Sequence, residues 1–324
     1  ALTACGAEKP QEISLFAMDT YMTLAAYGDS ADDALTAASR EINRLEATLS
    51  RTIDTSDVSR LNAGEAVVVQ PETRALLERA LALSDETGGT FDMTVAPLVA
   101  LWGITSDAPR VPSQEEIDAL LPLVGGEHVH MDDAVTLDAG CAVDLGGIAK
   151  GYASQQVADI LRAHGVTSAV VSLGGNVYVC GSKPDGTPWN VGIQDPAGSG
   201  YAAMVSLTDR FAVTSGGYQR YFEAEDGTVY RHILDPRTGR PADSDLLSVT
   251  IISDDGTAAD AYSTALYVMG EQEAVSFWRA HGGFELILIT ADGRLLYTPG
   301  LSDAITKPED CAYDFQLLTT QPAA

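Results

Sequence analysis

Apolar residues recur at helical spacing in three stretches. Within Ala31–Leu49, Leu35, Ala38, Ile42, Leu45 and Leu49 form one stripe with the charged residues elsewhere, which predicts an amphipathic helix. A second helix is predicted over 71–87, where Leu76, Leu77, Ala80, Leu81 and Leu83 face a core, Pro71 suits the first turn and Gly88-Gly89 ends the run. The third, over 149–164, carries Ala153, Val157, Ile160 and Leu161 and stops at Gly165. β-Branched and alternating runs predict strands at 66–69, 135–137, 169–179, 191–193, 203–207, 211–214, 228–233, 247–252 and 286–290. Lys183-Pro-Asp-Gly-Thr187 reads as a hairpin turn between strands. The segments 169–179 and 211–221 share a strand, Gly-Gly, strand pattern that suggests related halves. Separated helices among hairpin-like strands favour an α+β fold over a doubly wound sheet.

Chemistry concentrates in a few segments. Asp144-Leu-Gly-Gly-Ile-Ala-Lys-Gly-Tyr152 sets a carboxylate, a flexible backbone and a cation at the start of the third helix. Gly146 and Gly147 let the main chain approach a diphosphate or present a carbonyl to a metal, and Lys150 with the helix N-terminus opposes negative charge. Asp260 and Thr264 lie four apart in a helix-favouring run, so their oxygens share a face. Carboxylate plus hydroxyl suits a hard cation such as Mg²⁺. In isolation, though, such a pair is more often a cap and a surface hydroxyl. Between these segments, His232-Ile-Leu-Asp-Pro-Arg-Thr-Gly-Arg-Pro241 ends a strand in a turn and holds an imidazole suited to general base chemistry, or to a structural hydrogen bond.

Together with Gly89-Thr-Phe-Asp-Met-Thr-Val-Ala-Pro-Leu98 and the following Leu101-Trp-Gly103, these segments give four blocks in a fixed order. In that order and spacing, from about Met18 to about Gly270, the chain resembles the ApbE family of FAD:protein FMN transferases. One departure is Met18-Asp-Thr20, where many relatives have Met-Gly-Thr. The resemblance implies a tunnelling-fold-like α+β core of mixed sheets with flanking helices. It implies Mg²⁺-dependent cleavage of FAD, movement of its FMN half onto a Thr or Ser hydroxyl of an acceptor flavoprotein as a phosphoester, and release of AMP. By the match, Asp260, Thr264 and the Gly147 carbonyl hold Mg²⁺, and His232 is the base. Met18, Thr90, Phe91, Asp92, Asp144, Lys150 and Ile233 would contact FAD. Trp102 and Pro97 read as structural, and Asp235 and Arg237 as an ion pair across the turn. Two further readings remain: an FAD pyrophosphatase that uses the same residues with water as acceptor, and an FAD-binding lipoprotein without turnover, which would need the metal or His232 position to be idle.

Length and charge narrow the picture. A chain of 324 residues, 45% hydrophobic, is long enough for a large core, and no linker separates the blocks, so 13–324 is read as a single catalytic domain. With 19 basic against 46 acidic residues the net charge is −27, which argues against nucleic acid and against adhesion to anionic lipid. A positive pocket for anionic FAD must then be local. Leu2-Thr-Ala-Cys5 matches a bacterial lipobox, so residues 1–12 are expected to be a lipobox remnant and flexible tether. The expected location is exported, held to the outer face of a bacterial membrane by a lipid on Cys5. Cys141, Cys180 and Cys311 lack CxxC spacing and read as buried thiols, with one disulfide conceivable in an exported protein. His128 and His130 have a spacing that could hold a metal, against a blander strand-edge role.

Overall fold

The computed structural model describes residues 9–319, so Cys5 and its lipobox lie outside the described residues. The organising element is a nine-stranded sheet whose strands follow one another in chain order. They are β1 (Gln11–Ala17), β2 (Thr20–Ala26), β3 (Ser168–Leu173), β4 (Asn176–Gly181), β5 (Arg210–Gly216), β6 (Leu246–Ser253), β7 (Glu285–Thr290), β8 (Arg294–Tyr297) and β9 (Asp314–Leu317). All neighbours are antiparallel except β8 and β9, which run parallel.

Alternate residues of the strands feed two cores, as the period of two requires. On one face, Leu24, Val171, Tyr178, Phe211 and Ile251 pack with the apolar stripes of three helices. These are α1 (Ala31–Leu49), α6 (Ala149–Ala163) and α7 (Gly256–His281). On the other, Val179, Ala212, Ile252 and Ile287 meet Val191, Ala203 and Val205 of a small sheet made of Trp189–Gln194, Tyr201–Leu207 and Ile305–Thr306. The layers are thus helices, large sheet and small sheet, an α+β arrangement.

Among the described residues four more α-helices complete the order: α2 (Asp57–Asn62), α3 (Pro71–Glu86), α4 (Ala96–Trp102) and α5 (Gln114–Leu120). The three helices predicted from periodicity are present within a residue or so of their expected bounds, although Leu81 and Ile160 are only partly buried.

Several strand expectations are corrected. Residues 66–69 form no strand: Val67 makes one bridge to Val135, and Val68 is 76% exposed, so the valine run has no ladder to join. Residues 169–179 are two strands folded at Gly174-Gly175, with Leu173 opposite Asn176. The related segment does not repeat this hairpin. β5 ends at Gly216, and Tyr221–Glu223 pairs instead with Val229–Arg231 in a separate ribbon. Residues 228–233 also break after Arg231, leaving His232 outside the strands. Lys183–Thr187 is a closed turn, with Gly186 N–H donating to the Lys183 carbonyl at 2.8 Å, but it links strands of two different sheets.

One end of the sheet is shaped by two tight turns. At Met18-Asp19 both residues have positive φ (49° and 56°) and Ala17 faces Thr20, a two-residue hairpin of the twist-compatible kind. This explains the departure at Asp19: the position requires the left-handed conformation that Gly adopts freely and Asp tolerates. Gly174 lies against this turn so closely that an added Cβ would sit 2.1 Å from Thr20 Oγ1.

Candidate active site

Beside these turns lies a cavity of about 530 Å³. All eleven residues proposed from the sequence line it: Met18, Thr90, Phe91, Asp92, Asp144, Gly147, Lys150, His232, Ile233, Asp260 and Thr264. They come from both ends of the chain because β2 pairs with β3, α6 packs on α7, and the hairpin 234–241 folds back over α4.

The start of α6 shows how the site is wired. Gly151 has no side chain because an added Cβ would fall 2.3 Å from the Gly256 carbonyl oxygen and 2.5 Å from Asp260 Cβ. This contact lets Gly151 N–H donate to Asp260 Oδ2 at 2.8 Å. In a regular helix that amide would bond the carbonyl four residues back, at Gly147. The Gly147 carbonyl therefore accepts no hydrogen bond among the described residues. Asp260 is 3% exposed, has no cationic partner among the described residues, and has Oδ1 unengaged. Thr264 Oγ1 is close by: a Cβ built on Gly147 would lie 3.8 Å from it and 3.3 Å from the Phe91 ring. A free carbonyl, the unengaged second oxygen of the Asp260 carboxylate and a hydroxyl are the hard oxygen donors that Mg²⁺ takes. The set thus fits such an ion on its own chemistry.

The remaining block residues hold this centre. Asp144 Oδ1 accepts from Gly146 N–H at 2.8 Å and its Oδ2 pairs with Arg51 Nε at 3.1 Å, so both oxygens are engaged. Lys150 Nζ donates to the Gly146 carbonyl at 3.1 Å and stays at the cavity wall. Asp92 is a structural carboxylate as well as a wall residue. Its Oδ1 caps the short turn at Met93–Val95 by accepting from Thr94 N–H at 2.8 Å and Oγ1 at 2.6 Å, and its Oδ2 accepts from Ser84 Oγ at 3.1 Å. Thr90 Oγ1 donates to the Thr87 carbonyl at 3.0 Å. Met18 N–H donates to Glu46 Oε1 at 2.7 Å, which fixes the turn to α1.

His232 is set by its backbone surroundings. Its N–H and Nδ1 both lie on the Arg220 carbonyl, at 3.0 and 3.1 Å. A carbonyl only accepts, so Nδ1 carries the proton and the lone pair is on Nε2. Burial, with the charges of Arg220 and Lys150 adding to it, pushes the imidazole pKa down to about 4, so it is neutral at pH 7 with its Nε2 lone pair available. The hairpin beyond it, Leu234–Asp235 with Arg240–Pro241, is pinned by Trp102, whose Nε1 donates to the Gly239 carbonyl at 2.8 Å. Leu98, Trp102, Ile117 and Leu234 form the small core under it. Asp235 and Arg237 pair through two bonds of 3.0 Å, as expected.

Other wall residues escaped the sequence reading: Arg51, Ser215, Arg220 and Asn176. Asn176 is 2% exposed and its Nδ2 has no partner among the described residues, leaving a donor at the cavity wall. Its signal in the sequence is the Gly174-Gly175 turn just before it. Away from the cavity, His128 Nδ1 and His130 Nε2 each bond Asp138, at 2.9 and 2.8 Å. Among the described residues no group of three or more His, Cys, Asp or Glu side chains is arranged to hold a metal. Cys141, Cys180 and Cys311 are free thiols, and burial raises the pKa of the first two.

Comparison with known proteins places the chain in a family. Residues 18–288 match the family model described as the ApbE family. The FAD:protein FMN transferase of Treponema pallidum is 37% identical over 286 residues, spanning 82% of this chain and 79% of that protein. The protein of the same name from Escherichia coli K12 is 33% identical, over 74% and 71%. Among solved structures, the ApbE protein of Thermotoga maritima superposes with a TM-score of 0.82 at 35% identity, covering 93% of this chain and 97% of that one. The apo flavinyl transferase ApbE of Pseudomonas stutzeri gives 0.82 at 30% identity, covering 93% and 98%.

Proposed function

The chain belongs to the ApbE family and is a transferase, and on that premise we propose that it moves the FMN half of FAD to a Ser or Thr hydroxyl of an acceptor protein, with Mg²⁺ and with release of AMP. The observation that carries the reading is the Asp260–Gly151 bond, which leaves the Gly147 carbonyl and the second Asp260 oxygen free beside Thr264. When bound there, Mg²⁺ neutralises charge on diphosphate oxygens.

The protein residues divide the rest of the work. His232 Nε2 accepts the proton of the acceptor hydroxyl as its oxygen bonds to the FMN phosphorus, while the bond from that phosphorus to the bridging oxygen breaks and AMP leaves with the electron pair. Lys150, Arg51 and Arg220 supply positive charge at the wall of an otherwise acidic protein. The Leu2-Thr-Ala-Cys5 motif supports action at the outer face of a bacterial membrane through a lipid on Cys5.

The test is mass spectrometry of an acceptor domain bearing a Ser/Thr motif, incubated with the protein, FAD and Mg²⁺, while AMP is followed. An FMN-sized gain on the hydroxyl residue is expected. AMP and free FMN without labelling of any acceptor would replace transfer by hydrolysis, and bound FAD without AMP would reduce the protein to a carrier.

A further inference from the structure

Behind Thr264 runs a short chain of hydroxyl groups whose direction the geometry fixes. Ser263 is fully buried, and its Oγ donates to the Asp260 carbonyl at 2.8 Å. A carbonyl cannot donate, so the one hydroxyl proton of Ser263 is committed there. Ser263 Oγ and Ser215 Oγ are 2.8 Å apart, and with the Ser263 proton spent this bond must be donated by Ser215. Ser215 Oγ in turn lies 3.3 Å from Thr264 Oγ1, and with its own proton spent it can only accept. The Thr264 proton is therefore drawn away from the cavity, toward β5, and the Thr264 lone pairs are left to face the cavity.

We propose that Ser215 is a positioning residue that turns Thr264 Oγ1 into an acceptor-only oxygen and so sets the affinity of the site for a divalent cation. This rests on the reading of Asp260, Thr264 and the Gly147 carbonyl as the cation's ligands. A hydroxyl whose proton points at a cation is a poor ligand, and partners behind a ligand that fix its orientation are worth about 10- to 100-fold in metal affinity. Ser215 sits at the end of β5, whose partner β6 holds it in register, so the relay is built on the sheet and not on a loop.

The experiment is calorimetric titration of Mg²⁺ into metal-stripped protein with FAD present, alongside FAD binding in EDTA and thermal unfolding in EDTA. Ser215→Ala is expected to lose about 10- to 100-fold in Mg²⁺ affinity, with FAD binding and unfolding in EDTA unchanged, and Ser215→Thr to restore affinity. Ser263→Ala provides a second variant: it keeps Ser215 but releases its proton, so Mg²⁺ affinity should fall as well. Wild-type affinity in Ser215→Ala would overturn the proposal, as would an equal loss of FAD binding in EDTA, which would mark a general structural role. Absence of Mg²⁺ binding by the wild type would instead overturn the ligand reading beneath it.

Discussion

Replacing Gly151 by Ala adds a methyl group at a tight backbone contact of the site. Its Cβ would lie 2.3 Å from a backbone oxygen of Gly256 and 2.5 Å from Asp260 Cβ, where carbon atoms normally rest about 3.5 to 4 Å apart. Both neighbours are main chain or bonded directly to it, so no rotamer relieves the clash and α6 must move from α7 by roughly 1 Å. Overpacking of this kind costs about 1 to 3 kcal/mol. The better helix propensity of Ala offsets roughly 1 kcal/mol of that. The net loss of about 0 to 2 kcal/mol leaves the protein folded.

The site suffers more, because the 2.8 Å bond from Gly151 N–H to Asp260 Oδ2 spans the gap that opens. A misplacement of about 1 Å in a positioned group costs roughly 100-fold in rate. The expected outcome is a small fall in urea midpoint with about a 100-fold fall in Mg²⁺-dependent AMP release, and a higher Mg²⁺ requirement. A variant with the wild-type midpoint, Mg²⁺ requirement and turnover would refute the claim that helix spacing sets this site.

His232→Ala should cut transfer by about 10² to 10⁴ while FAD affinity, measured by flavin fluorescence, stays within a few-fold; collapse of affinity would make His232 a binding group. Because its folded pKa is about 4, kcat/KM should hold its acid side flat down to about pH 5 and fall as protonation begins below that. The same depression means the unfolded chain binds more protons between about pH 4 and 6.5, so stability declines as pH falls through that window and His232→Ala should lessen the slope. Arg51→Ala breaks a half-exposed pair with Asp144 worth about 0 to 1 kcal/mol, so the melting temperature should barely move; about a tenfold rise in KM for FAD is expected if its charge serves the ligand, and an unchanged KM would assign it to Asp144 alone. Trp102→Ala should cost about 3 to 5 kcal/mol in urea unfolding and lower turnover by loosening the hairpin that directly follows His232; full activity at reduced stability would separate the two. Asp260→Ala should abolish Mg²⁺-dependent AMP release in a protein that still unfolds cooperatively, and undiminished release would remove Asp260 from the site.

The helices were legible because each carries one uninterrupted apolar stripe. Strands were less so where burial does not follow sequence alternation. At 66–69 the valines suit a strand, yet only Val67 finds a partner. β1 and β2 are hard to read in the sequence because their outer face carries the exposed cross-strand pair Phe16 and Tyr21, which blurs the polar half of the pattern. In the site, side chains that act by themselves could be named from motifs. Arrangements made between a backbone group and a distant residue could not. Gly151 meets Asp260 across 109 positions, and the Gly at 151 looks like any helix glycine until the packing of α6 on α7 is known. Ser215 had the same disadvantage, since nothing in its own segment names Thr264 as its neighbour.

Charge compensation within the cavity distinguishes its carboxylates more sharply than their types do. Asp144 is answered by Arg51 and an amide, and Asp92 by two hydroxyls and an amide. Asp260 has one amide and no cation among the described residues, although it is the most buried of the three. A buried carboxylate left in this way is costly unless a positive charge reaches it. Lys150 does not supply that charge, since its Nζ is directed to the Gly146 carbonyl, and Arg220 is directed to the Asp19 carbonyl. The charge of Asp260, which has no cationic partner among the described residues and lies beside a carbonyl and a hydroxyl with no partner on their cavity side, supports the proposed cation at this site. It also explains how a protein with a net charge of −27 could accept an anionic dinucleotide, because the ligand would meet cationic side chains at the wall and an ion at the centre.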